Sequence, residues 1–237
     1  MIERKLRVTA WLGVGVFVGV VLLQHAASAE LRPHRHVISE YANTDAGSIM
    51  GAGFVAWAVG LVATSLLVLR RTRPEPRDRA GQLLALCLML AAAGATVTAI
   101  FETQAVGSVV PPGTTRTAAG RLHDAGSGVL SVALLLAGVT SVHAAGFARW
   151  FRRTTIALML VAVVVDVALL VAGDPVPGVR QRVLVAAGCG WQVALIAQLS
   201  RVHGAAHEGS NPASRKSPAE TDGLCGVAPP GSHAPRA

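Results

Sequence analysis

Ala46–Leu69 (AGSIMGAGFVAWAVGLVATSLLVL) runs for 24 residues without a charged side chain and stops at Arg70 and Arg71. A helix needs about 20 apolar residues to cross a hydrocarbon core of about 30 Å, so this stretch reads as a transmembrane helix. Five more apolar stretches flank it: Val8–Gln24, Ala80–Phe101, His123–Ala145, Thr154–Gly173 and Val183–Ser200. Backbone groups in lipid must bond within their own segment, which makes these stretches helices rather than strands. The expected fold is all-α, a polytopic membrane bundle of six transmembrane helices.

Composition agrees. Charged residues are 14% of the chain and hydrophobic residues 52%, whereas a soluble domain carries roughly 25% charged residues. Aromatics are only 4%; the apolar mass is Ala, Val, Leu and Gly, which suit close helix contact in a bilayer. The net charge of +8 sits in short clusters between apolar segments. That pattern excludes a nucleic-acid partner, which would require a basic stripe interleaved with aromatics. Cys87, Cys189 and Cys225 show no metal-ligand spacing and no disulfide framework. Lys5 and Lys216 are the only lysines against many arginines, a bias typical of a GC-rich bacterial genome.

Orientation follows from counting basic residues by loop. With the N-terminus inside, fifteen Lys and Arg lie on the cytoplasmic side: Arg4, Lys5, Arg7, Arg70, Arg71, Arg73, Arg77, Arg79, Arg149, Arg152, Arg153, Arg201, Arg215, Lys216 and Arg236. Six lie outside: Arg32, Arg35, Arg116, Arg121, Arg180 and Arg182. Both termini are therefore expected in the cytoplasm of a bacterial cell, with the chain a multi-pass protein of the cytoplasmic membrane. Ala27-Ser28-Ala29 resembles a signal-peptidase site, but the preceding apolar run exceeds the usual ~7–15 residues of a signal peptide. The first helix is expected to be retained. Residues 1–200 form the transmembrane domain on this reading. Residues 201–237, rich in Gly, Pro, Ser and Ala, read as a disordered cytoplasmic tail. The Arg70–Arg79 connector, with Pro74 and Pro76, reads as an extended loop that sets topology. Gly15/Gly19 and Gly47/Gly51 have the spacing that lets helix backbones approach; packing within the chain is the expected use, and a homo-oligomer remains open.

Polar residues collect at the outer helix ends. The first outer loop carries His34, His36, Ser39, Glu40, Tyr41 and Asp45; the third helix ends at Phe101-Glu102-Thr103-Gln104; the fourth opens with His123-Asp124 and the sixth with Arg180-Gln181-Arg182. Asp174 lies at the outer end of the fifth. In a compact bundle these ends converge on one outward-facing pocket. Asp124, Ser127 and Ser131 share a face of helix four, and Gln181, Gly188 and Gln192 a face of helix six. Asp166 is the one acid well inside an apolar run; a carboxyl there needs a partner or a proton, and Arg180 or Arg182 is the expected one.

Recognised chemistry is sparse. His34-x-His36 would need His123 or Glu102 to complete a metal site, and His123-Asp124 reads better as an interfacial pair. A dihaem carrier would require histidines such as His36, His123, His143 and His203 to face each other across a core, which the sequence does not arrange. Gly126-Ser127-Gly128 is too short for a nucleophile elbow, and no phosphate-binding loop is present. No metal and no cofactor is expected.

His36-Val37-Ile38-Ser39-Glu40-Tyr41 resembles the signature of the membrane family called domain of unknown function (DUF) 998. Phe101 closing helix three, Arg121-Leu122-His123 opening helix four, and Gly178-x-x-Gln181-Arg182 followed by Trp191 fit the same pattern, in order, over about residues 8–200. The resemblance implies six helices with the first retained, and it selects Ser39, Glu40, His123, Gln181 and Arg182. Members tend to carry Pro-x-Asp after Phe101, where this chain has Glu102-Thr103-Gln104; either Glu102 supplies that acid from a shifted position or the role is absent.

The candidate pocket is thus Ser39, Glu40, Glu102, His123, Asp124, Asp166, Gln181 and Arg182. Its expected use is binding, sensing or moving a small molecule or lipid, with membrane lipid as the standing partner. Two alternatives stay open. One is a membrane-embedded hydrolase or transferase acting on lipid or envelope substrates, with His123 as base and Glu40 or Glu102 as its partner. The other is a membrane scaffold.

Overall fold

The structure, a computed structural model, describes residues 1–72, 78–106, 110–173 and 176–208. The stretch 73–77 with Pro74 and Pro76, Asp174, and the tail 209–237 with Cys225 lie outside the described residues. Among the described residues six α-helices follow one another: α1 (Ile2–Ala27), α2 (Gly47–Thr72), α3 (Arg79–Ile100), α4 (Ala118–His143), α5 (Arg149–Val171) and α6 (Pro177–Glu208). All six are long and apolar enough to cross a membrane. The chain is an all-α, multi-pass membrane protein.

Several helices outrun the apolar stretches that announce them. Hydropathy marks where side chains meet lipid, while the helix itself continues through interfacial polar residues until its caps. Asp78 accepts from Gly81 N–H at 2.9 Å to start α3, and Thr117 accepts from Gly120 N–H at 3.1 Å to start α4, five residues before His123. Pro177 opens α6, where the missing N–H costs nothing. α6 continues past Ser200 to Glu208.

α3 lies along both α2 and α4, α1 lies along α2 and α6, and α5 leans on α6 with a thinner contact to α4. Leu22, Leu86, Val132, Leu160 and Leu170 face outward, as expected where lipid replaces water. The core is built on two tryptophans. Phe17 of α1 stacks on Trp57 of α2 at 4.3 Å and 13°. Trp57 Nε1 donates to Gln192 Oε1 at 2.8 Å, and Gln192 Nε2 donates to Thr64 Oγ1 at 3.3 Å, tying α2 to α6. Trp191 Nε1 donates to Ser141 Oγ on α4 at 3.3 Å. These polar side chains enter the core in bonded pairs, as a medium without water demands.

Of the two glycine pairs the spacing suggests, Gly51 approaches the Ala99 carbonyl of α3 and Gly47 the Ala42 carbonyl, while on α1 the close approach falls on another glycine. A side chain on Gly13 would come within 2.5 Å of Gly60 Cα, so α1 and α2 touch backbone to backbone there. Gly15 and Gly19 face outward with nothing in reach, which corrects the expectation that this pair packs within the chain. Gly13 shares its face with Val14 and Phe17, which point into the core; Gly15 and Gly19 fall on the opposite side of the same helix.

Candidate functional site

Between α1 and α2 the chain passes over one end of the bundle. There Ile38–Asn43 forms a 3-10 turn with Ile38, Ser39, Glu40 and Tyr41 all buried. Hydropathy alone gives no sign of this strap, because its polar residues read as loop.

Glu40 closes the turn on itself: one carboxylate oxygen accepts from Val37 N–H at 3.1 Å and the other from His36 Nδ1 at 2.7 Å. Gln181, in the first turn of α6, accepts from Ile38 N–H at 2.5 Å. Arg182 does most of the holding. Its Nη1 donates to the carbonyls of Pro33 at 2.6 Å, His36 at 2.7 Å and Gly178 at 2.9 Å. Its Nη2 donates to the Tyr41 hydroxyl at 3.2 Å and its Nε to His25 Nε2 at 2.7 Å. A planar fork of five donors is suited to gathering carbonyls from several directions. The strap carbonyls sit so near Gly178 that a Cβ there would collide with the carbonyls of Pro33 and His36. On the far side, Asn43 Nδ2 donates to the Thr103 carbonyl at 3.0 Å, joining the strap to the segment after α3.

The other candidate residues lie apart from this cluster. His123 of α4 is 2% exposed and its Nδ1 donates to the Phe101 carbonyl at 2.7 Å. Its other nitrogen, Nε2, is buried and without a partner among the described residues. Asp124, one residue on, is half exposed and pairs with Arg116 at 2.8 Å. Glu102 is exposed, while the buried position in that segment is Thr103. Asp166 pairs with Arg180 at 3.6 Å on the α5–α6 flank, with 43% of its side chain exposed. Ser127 meets Thr98 of α3 at 3.3 Å, and Ser131 turns back on the Ser127 carbonyl. Glu40 and His123, paired in the acid–base reading, each bond to another group.

One participant was invisible in the sequence. His25, at the end of α1, stands 5.1 Å from the Tyr41 ring and accepts from Arg182. Its Nδ1 donates to the Val21 carbonyl at 2.6 Å, as an interfacial histidine does; nothing in its spacing points to α6.

Beside the strap lies an open depression of about 510 Å³, walled by Pro33, Val179, Val183 and Ala186 and edged by His34 and Arg182. Among the described residues no group of three or more His, Cys, Asp or Glu stands close enough to hold a metal ion.

Compared with known families, the chain matches the one described as "Protein of unknown function (DUF998)" over residues 11–198. The chain belongs to the DUF998 family. No curated protein and no solved structure matches it. In this DUF998 chain the short motifs of the resemblance meet in separate groups. Glu40 and Tyr41 belong to one network with Gln181 and Arg182, and Phe101 is bonded to His123. Trp191 ties α6 to α4.

Proposed function

We propose that this DUF998 protein binds an amphipathic small molecule or lipid at the strap end of its bundle and senses or moves it. The strap end faces outward from a bacterial cytoplasmic membrane, and both termini are cytoplasmic. The orientation rests on the distribution of Arg and Lys among the loops.

The observation that carries the reading is the depression beside the strap. Its walls are the apolar side chains of Pro33, Val179, Val183 and Ala186, and its rim holds the Arg182 guanidinium and the exposed His34 imidazole. The Arg182 guanidinium keeps its positive charge although its donors are spent on the strap, and an apolar wall beside that charge suits a molecule with an acyl-like body and an anionic head. A binding role is favoured over hydrolysis because the strap's acid–base groups are committed. Glu40 is engaged through both oxygens, and His25 through both ring nitrogens. The cluster therefore acts as a frame that fixes the depression's wall.

The test is saturable binding of a dansylated fatty acid to the full chain in nanodiscs. Filling the depression with Ala186→Trp should weaken binding about tenfold or more, since a blocked pocket loses its buried contact area. Binding that never saturates, or that is the same in the filled variant, refutes the proposal. Consumption of an ester-bearing amphiphile by the wild type would instead favour the enzyme.

A further inference from the structure

At the opposite end of the bundle, α4 and α5 diverge and leave a groove of about 390 Å³ open to the lipid side. Gly138, Val139 and Val142 of α4 face Ile156, Leu160 and Val163 of α5 across it, with Met159 and Thr155 in its floor. α5 is the least buried of the six spans, so the groove is reached sideways from the membrane.

Two independent features point to an occupant. Thr155 is fully buried, and its hydroxyl has no partner among the described residues. A helical threonine usually satisfies itself on the carbonyl a turn earlier; this donor is left unused at the groove. The second feature is charge. Arg149, Arg153, Ile156, Leu160 and Val163 recur at spacings of four, three, four and three, so the arginines extend the groove's own stripe toward the membrane surface. Both are exposed, as is His143 at the end of α4. Arg152 bonds the Ala144 carbonyl at 3.2 Å, and its buried Nε has no partner among the described residues. No acidic residue occurs between Asp124 and Asp166. Arg71, on the Gly146 carbonyl and the Phe147 ring, and Arg201, over Trp150, are occupied in holding the α4–α5 connection.

We infer that this groove binds one anionic phospholipid. Its phosphate lies against Arg149 and Arg153, an ester carbonyl accepts from Thr155, and an acyl chain runs between Ile156, Leu160, Val139 and Val142. The order along the groove, cation then lone donor then apolar wall, matches phosphate, ester and chain. Along the helix axis Arg153 and Thr155 are about 3 Å apart, while about 200° of rotation separates them, so the buried Thr155 faces the groove's floor and the exposed arginines stand at its open edge. This site stands at the other end of the bundle and is independent of the depression beside the strap.

Native mass spectrometry of the full chain tests it, with phosphatidylglycerol and phosphatidylcholine of identical acyl chains added to the detergent. The wild type should retain one phosphatidylglycerol with a preference of roughly tenfold, a modest share of what two surface arginines contribute. Arg149→Gln with Arg153→Gln should remove most of that preference, and Leu160→Trp should lower occupancy by either lipid. Equal retention of the two lipids overturns the inference, and so does a preference untouched by both variants. As a check that does not depend on variant folding, a phosphatidylglycerol with a photoreactive acyl chain should cross-link the wild type within residues 138–163. Cross-links confined to other segments also overturn it.

Discussion

Arg182 Nε donates to His25 Nε2 at 2.7 Å while His25 Nδ1 donates to the Val21 carbonyl at 2.6 Å. The two bonds together fix the imidazole as the neutral Nδ1–H form, since Nε2 must offer a lone pair to the guanidinium. α1 and α6 are thereby joined at the strap end by a bond with a defined direction.

His25→Phe keeps a ring beside Tyr41 but removes the acceptor. It should lower stability by about 1.5–3 kcal/mol, the range for hydrogen bonds to charged groups. Tyr41→Phe removes a longer bond to the same charged group, 3.2 Å, and should fall at the low end of that range, about 1.5 kcal/mol. Unfolding by dodecyl sulfate titration in mixed micelles measures both. Equal effects would mean that the imidazole contributes no more than the phenol.

Arg182→Lys should behave as a loss rather than a conservative change. An ammonium offers three donors from one point, whereas here five acceptors surround three separate nitrogens. Carbonyls of the strap left without donors predict a mobile Pro33–Tyr41 segment and faster proteolysis there. Hydrogen exchange across residues 33–41 reads this directly; protection equal to the wild type would show that Gln181 and Glu40 suffice to hold the strap.

How much of this was legible in the sequence depends on which coordinate is asked for. Hydropathy gives depth, so six spans and the polar ends were readable, as was the pairing of Asp166 with a neighbouring arginine of α6. Depth does not give azimuth. Asp124 and Glu102 sit at the same level as His123, yet they point outward while His123 points in. Helical periodicity groups Gln181 with Gln192 on one face but does not say that the first meets the strap and the second Trp57. His25 was missed for the same reason: its helix end was readable, its neighbour was not.

The buried pair Trp57 and Gln192 offers a measure of polar bonding in this core. Gln192→Leu and Trp57→Phe each break the 2.8 Å bond; Gln192→Leu also removes the donor to Thr64 Oγ1, whose hydroxyl keeps its own 2.8 Å bond to the Gly60 carbonyl. A double-mutant cycle should return a coupling of about 0.6–1.7 kcal/mol, the range seen for hydrogen bonds between membrane helices. Additive losses would mean that the two side chains act only through packing.

Glycine positions on α1 predict a sharp contrast. Gly13→Leu inserts a side chain where Gly60 Cα already lies 2.5 Å from the new Cβ. Overpacking of this kind costs about 1–3 kcal/mol or more. Gly15→Leu, two residues away, meets nothing within 4 Å and should leave the monomer's stability unchanged in the same titration. Similar losses in both variants would place a partner against the outward face of α1.

His123 poses the last question, because its two nitrogens pull in opposite directions. Nδ1 holds the Phe101 carbonyl at 2.7 Å, a bond of about 0.5–1.5 kcal/mol, while the unpartnered Nε2 carries a burial penalty of about 1–3 kcal/mol. His123→Phe removes both contributions while keeping a ring, at the cost of leaving the Phe101 carbonyl without this donor, so the opposing effects largely offset and stability should change by less than about 2 kcal/mol. His123→Ala opens a cavity as well and should fall by about 2–5 kcal/mol. If His123→Phe instead proves as damaging as His123→Ala, Nε2 has a partner in the working protein. A bound water or ligand would then sit at the junction of α3 and α4, and the acid–base reading of His123 would gain support.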